Sequence, residues 1–153
     1  MNTWLKFGVV VAVVCCAGPA ISHSNAAVPD DLLRRDVQVV TTPRDVDPAV
    51  LAALAPFFAN DSQRLSHEEP FSANDAGPGA SRRFVFAAEV PSLWFIHYEH
   101  RGIGRHSHLV VFRQWGNNWR LAYAGVAAYT FSTLDRLRNA IRTHQFRQSM
   151  SEF

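Results

Sequence analysis

Histidines concentrate in one short segment of this chain. Four of the seven lie within residues 97–108: His97, His100, His106 and His108. Imidazole side chains ligate metals, transfer protons near neutral pH, and gain a positive charge on mild acidification. The chemistry of the segment therefore depends on which of these side chains share a surface.

Two predicted strands and a tight turn must position these histidines. Aromatic and β-branched residues fill 93–100 and 106–115, which predicts a strand in each range. The turn between them, residues 101–105, contains two glycines, as hairpin turns commonly do. The segment is therefore predicted to form a β-hairpin.

The register of this hairpin decides which histidines meet. If residues 102–104 form a three-residue loop, His100 lies opposite His106 and Tyr98 lies opposite His108. A two-residue loop would mix polar and apolar partners. We favour the first register, because a buried sheet face strongly specifies strand pairing. It brings three histidines together at one end of one face.

Metal binding is one chemistry that this cluster could perform. His100, His106 and His108 would be the ligands of zinc or copper, since three neutral imidazoles with an open fourth position form a catalytic zinc site. A carboxylate usually orients a metal-bound histidine, but Glu99 alternates to the opposite face. A metal-binding protein or metal-dependent enzyme is therefore the alternative hypothesis.

Other catalytic chemistry has less support. Ser107 stands between two histidines, but neighbours on a strand point to opposite faces, so neither is its base by adjacency. The two turn glycines lack the following glycine and helix of a phosphate-binding loop. The predicted strands between residues 82 and 128 hold only two acidic residues, which do not form an evident glycosidase pair. The sequence leaves an enzyme open but favours a protein without catalytic activity.

The leading hypothesis is a recognition surface at the end of the hairpin. Tyrosine, tryptophan and arginine are the side chains that most often anchor interfaces. The protein would be a small binding or inhibitory module that recognises a protein or an anionic envelope component. Its predicted binding residues are Tyr98, His100, Arg101, Arg105, His106 and His108.

Charge is distributed unevenly along the chain. Residues 28–80 contain nine acidic residues and four arginines, whereas residues 81–153 contain ten arginines and four acidic residues. A basic C-terminal half outside the cytoplasm favours acidic partners, such as anionic lipid, envelope polymer or an acidic protein, over nucleic acid.

The first 27 residues have the organisation of a secretory signal peptide. Lys6 precedes an apolar run over residues 7–17, which is shorter than the roughly 20 residues of a spanning helix. Cleavage near residue 26 or 27 predicts a periplasmic or secreted protein without a stable transmembrane anchor. Cys15 and Cys16 raise the alternative of a lipid anchor, although Val14 is bulky where a small residue is expected.

The remaining chain, residues 28–153, predicts one α+β domain. Residues 36–42 form an edge strand, and residues 82–90 and 119–128 complete a four-stranded antiparallel meander with the hairpin.

A helix begins at Pro48 with Asp47 as its N-cap, and a second helix begins after Ser132 or Thr133. We expect both helices on one face of the sheet, and a long loop over residues 60–81.

Overall fold

The fold comes from a computed structural model of the chain, which describes residues 30–33, 37–58, 82–102 and 104–149. This part contains one six-stranded antiparallel sheet, with its strands in sequence order, and two α-helices. The strands are β1 (Gln38–Val40), β2 (Arg82–Val90), β3 (Leu93–Gly102), β4 (Gly104–Trp115), β5 (Asn118–Ala127) and β6 (Arg147–Gln148), and the helices are α1 (Pro48–Leu54) and α2 (Leu134–Arg142).

The predicted α+β class with an antiparallel sheet is confirmed, but the sheet is wider than the predicted meander. Strands β2 to β5 form the meander, and β1 forms the expected edge beside β2. The strand β6, which the sequence did not predict, pairs with β5 at the other edge. The predicted signal peptide and the loop over 60–81 lie outside the described residues.

The two helices lie on opposite faces of the sheet, so the prediction of a single helical face is wrong. Val50 and Leu54 of α1 pack in one apolar cluster with Ile96. Leu137 of α2 packs in a second cluster with Phe95. Alternate residues of β3 point to opposite faces, and both sets are apolar, so each face needs its own cover.

Both helices begin at the predicted residues. The carboxylate of Asp47 accepts a hydrogen bond from the amide of Ala49 at 2.7 Å, and the hydroxyl of Thr133 accepts one from the amide of Arg136 at 3.3 Å. These bonds satisfy backbone donors that the first helical turn leaves without a partner. Capping residues therefore fixed both helix starts.

The predicted hairpin register is confirmed. Strand β3 pairs with β4 so that His100 lies opposite His106, Tyr98 opposite His108 and Ile96 opposite Val110. The apolar residues of both strands thereby fall on common faces, as a buried sheet requires. The register brings the three histidines of the predicted cluster to one end of one face.

Gly125 on β5 lies against the ring of Tyr123, two residues earlier on the same face. A methyl group at position 125 would approach two ring carbons to 2.9 Å, and the tyrosine hydroxyl more closely still. Because Tyr123 is buried, its ring cannot move freely away. We expect Gly125→Ala to lower the free energy of unfolding by about 1–3 kcal/mol in a denaturant titration.

Alanine is normally more favourable than glycine within a strand, so without the close contact Gly125→Ala would raise the free energy of unfolding. A decrease therefore supports the close contact. Tyr123→Phe removes the nearest atom, and adding it to Gly125→Ala should restore part of the lost stability. Stabilisation by Gly125→Ala alone would contradict the described packing.

Candidate functional site

Basic side chains form a row at the hairpin end, on the sheet face that α1 covers. Arg82 of β2 lies opposite His100 of β3, which lies opposite His106 of β4. Directly opposed residues on neighbouring strands share a face and approach closely. We call Arg82, His100 and His106 the basic row. Arg82 is only 5 % exposed, whereas both histidines are half-buried.

The aromatic residues of the predicted recognition surface lie beneath this row rather than at the surface. The rings of Tyr98 and His108 stack with centroids 4.9 Å apart, and these residues are 1 % and 2 % exposed. His100 meets the edge of His108 at 5.4 Å. Tyr98 and His108 therefore support the basic row from below and do not present a face to a partner.

Burial fixes the protonation of this supporting pair. It raises the pKa of Tyr98, which also shares a hydrogen bond with Arg82. Burial, reinforced by the positive charges of His100, Arg82 and His106, lowers the pKa of His108 to about 3. Both residues are therefore neutral at physiological pH.

The two arginines of the predicted surface lie next to the turn. Arg101 and Arg105 are register partners, one position closer to the turn than His100 and His106. Their side chains lie outside the described residues, as does Ile103 at the turn itself. Their position at the tip is thus established, and their role at the surface stays a prediction.

The described geometry gives little support to a metal centre. Within residues 30–33, 37–58, 82–102 and 104–149, no group of three His, Cys, Asp or Glu side chains is arranged to hold a metal ion. The guanidinium of Arg82 also lies in the row that contains His100 and His106. A fixed positive charge opposes the approach of a cation.

A buried polar cluster, which the sequence did not predict, lies on the opposite face of the same strands. It consists of His97, Glu99 and Ser107, each of them 0 % exposed. The hydroxyl of Ser107 donates to the carbonyl of Tyr129 at 2.5 Å. This contact attaches the loop between β5 and α2 to the sheet.

Glu99 holds two partners within this cluster. The Nε of Arg83 donates to one carboxylate oxygen at 2.7 Å, and the hydroxyl of Thr130 donates to the other. Burial of a carboxylate is tolerated when its charge is paired and its oxygens accept hydrogen bonds. Glu99 therefore joins β2, β3 and the loop after β5.

His97 uses both ring nitrogens for structure. Its Nε2 accepts a hydrogen bond from the amide of Phe131 at 3.3 Å, so its Nδ1 must carry the proton and donate to the carbonyl of His108 at 2.9 Å. Burial lowers the pKa of His97 to about 4. This histidine is thus a neutral structural residue, and neither it nor the buried hydroxyl of Ser107 is accessible to a substrate.

Three consecutive loop residues are fixed by the buried polar cluster: Tyr129, Thr130 and Phe131. The sequence signal was the alternation of His97 and Glu99 among apolar residues, which indicates buried polar side chains but does not name their partners. A shallow cleft of about 460 Å³ lies beside this loop and is lined by Thr130, Phe131, Asp135, Arg136, Asn139 and Gln145.

Comparison of the chain with protein-family models, curated proteins and solved structures found no match. Within the described part of the chain, no helix has the length and apolar character needed to cross a membrane. The geometry defines an α+β domain with a basic hairpin end.

Proposed function

We propose that this protein is exported and acts as a small non-enzymatic binding or inhibitory module whose hairpin end recognises an acidic partner. The partner is an acidic protein or an anionic envelope component. The basic row carries the proposal, because it aligns three basic side chains on adjacent strands. The signal-like residues 1–27 and the arginine-rich C-terminal half support export and an acidic partner.

The buried position of Arg82 strengthens its effect on the surface. A guanidinium keeps its charge at all physiological pH values. Because Arg82 is largely screened from water, its field reaches the neighbouring His100 with less attenuation than that of an exposed arginine. Carboxylates of a partner are thereby attracted to the half-buried histidines above it.

We expect polyaspartate, as a stand-in for an acidic protein surface, to bind the wild type about tenfold more tightly than His100→Gln combined with His106→Gln, since two hydrogen bonds to carboxylates contribute roughly 0.5–1 kcal/mol each. Isothermal titration at low salt measures this difference. His144→Asn, a change at an exposed histidine after α2, is the control and should bind polyaspartate as tightly as the wild type.

Equal affinity of the wild type and the double histidine variant would contradict the proposal, as would the same loss in the His144 control. Raised salt should weaken the binding, because exposed charge pairs are screened.

Metal binding by His100, His106 and His108 is the alternative function: the register places the three histidines at the same end of one sheet face, although the described residues contain no group arranged to hold a metal ion. Elemental analysis of protein purified without a histidine tag separates the two. Stoichiometric zinc or copper that disappears in a His100→Ala, His106→Ala variant would establish the alternative. Metal at trace levels in the wild type would exclude it.

A further inference from the structure

A second exposed surface lies at the other end of β4, at the turn into β5. Arg113 and Arg120 are cross-strand partners, and both are exposed. Trp115 is two residues beyond Arg113 on the same strand face and is 60 % exposed. We call Arg113, Trp115 and Arg120 the turn surface. It lies seven to nine residues along β4 from His106, roughly 23–30 Å at the rise of an extended strand, so it is separate from the basic row.

The opposed arginines are unfavourable for the isolated fold. Like charges directly opposite each other on an antiparallel pair repel, with Cβ atoms roughly 5 Å apart. In the described part of the chain, neither arginine takes part in an ion pair that would offset this repulsion. A bound anion would relieve it, because one carboxylate or sulfate can accept hydrogen bonds from both guanidinium groups.

The shape and composition of the turn surface indicate the kind of ligand. Small-molecule sites are concave, whereas these side chains stand exposed on a strand face, which suits an extended polymer. An exposed indole offers a flat apolar face with little entropy to lose. Trp115 and Arg113 are about 7 Å apart along the strand, so a polymer that repeats a ring and an anionic group can engage both.

Other macromolecular partners fit less well. A stable protein interface needs roughly 800 Å² on each side, and a membrane contact needs a larger apolar face. Among the described residues, the other large exposed hydrophobic side chains are Val39 on β1 and Tyr129 after β5, away from this turn. A single aromatic ring beside two cations is instead large enough to bind one sugar ring and its charged group.

We propose that the turn surface binds an acidic polysaccharide, with Trp115 stacked on a sugar ring and Arg113 and Arg120 holding a carboxylate or sulfate. The interaction is non-covalent and independent of the hairpin end. It would place the protein on an acidic polymer while the basic row remains accessible to its own partner.

Titration of the full chain with polygalacturonate at pH 8 tests this inference. Trp115→Ala, and Arg113→Gln combined with Arg120→Gln, should each weaken binding about tenfold or more. Two matched controls are Tyr129→Ala, which removes another exposed aromatic side chain, and Arg136→Gln with Arg142→Gln, which removes the same charge from exposed positions on α2. Both controls should change the affinity less than about twofold, as surface changes away from an interface do.

Three ligands identify the chemistry that is recognised. Neutral dextran should not bind, and the two turn-surface variants should leave polyaspartate binding unchanged. If the turn-surface variants lose polygalacturonate and polyaspartate binding equally, the surface recognises acidic protein and the inference is overturned. Equal losses in the control variants, or no binding of polygalacturonate by the wild type, would also overturn it. The same holds if the turn surface binds anionic vesicles alone.

The hairpin variant His100→Gln, His106→Gln separates the two proposals. It should retain polygalacturonate binding at pH 8, because it leaves the turn surface intact. If it loses that binding as completely as the turn-surface variants do, the sites are not independent and the inference fails.

Discussion

The free energy of unfolding should fall steeply as the pH is lowered from about 6.5 toward 4. His97 and His108 are buried and neutral, and burial lowers their pKa values to about 4 and about 3. In the unfolded chain an imidazole has a pKa of about 6.5. Between these values the unfolded state binds protons that the folded state excludes, so stability decreases with falling pH. The loss is complete once the pH is below the folded-state values.

The expected size is large relative to the stability of a small domain. Each histidine contributes a slope of up to about 1.4 kcal/mol per pH unit within its window. Over the interval from 6.5 to 4, the two together remove several kcal/mol, compared with a usual total of about 5–15 kcal/mol. The protein should therefore approach its unfolding transition near pH 4.

Denaturant titrations between pH 6.5 and 5 measure this slope before the carboxylates of the unfolded chain begin to titrate strongly. His97→Gln should lower the stability at neutral pH and also reduce the slope by about one proton, roughly 1.4 kcal/mol per pH unit. His144→Asn, a matched change at an exposed position, should keep the wild-type slope, because it leaves both buried histidines in place. A wild type of constant stability across this range would contradict the buried neutral histidines.

Replacement of Glu99 by glutamine should cost about 2–3 kcal/mol of unfolding free energy. Removal of one partner from a buried ion pair typically costs about 3–5 kcal/mol. The side chain of Arg83 is 29 % exposed, so water compensates part of the lost pairing. We also expect faster amide exchange at residues 129–131, since Thr130 loses its charged acceptor.

Two matched variants locate this effect. Glu89→Gln removes a carboxylate from an exposed position on β2 and should change stability by less than about 0.5 kcal/mol. Thr130→Val keeps the shape and removes one hydrogen bond, so it should cost about 1–2 kcal/mol. If Glu99→Gln is as stable as the wild type with unchanged exchange in the loop, the buried polar cluster does not fix the loop.

The hairpin register could be predicted because local pattern was sufficient. Apolar side chains alternate through β3 and β4, and a shift by one residue would have placed polar groups in the core. The helix starts could be predicted for the same reason, since Asp47 and Thr133 cap the helical turns that follow them directly. Each of these features depends on residues close together in sequence.

The features that were missed depend on distant residues or on both sheet faces. Apolar residues on both faces of β3 indicate that each face needs a cover, but they do not show that α1 and α2 provide one each. Tyr98 is buried because it lies in the cluster that α1 packs against. The strand β6 has two residues, too few for any alternation. The hydrogen bond from Thr130 to Glu99 joins residues 31 positions apart, which no local pattern reveals.

Backbone amide chemical shifts of isotope-labelled protein, followed while polyaspartate is added at low salt, should report binding of an acidic partner at the basic row. The largest changes should occur at Arg82, His100, His106 and the adjoining turn, and they should be lost in the His100→Gln, His106→Gln variant. Changes confined to other surfaces, or no changes at all, would contradict binding at the basic row.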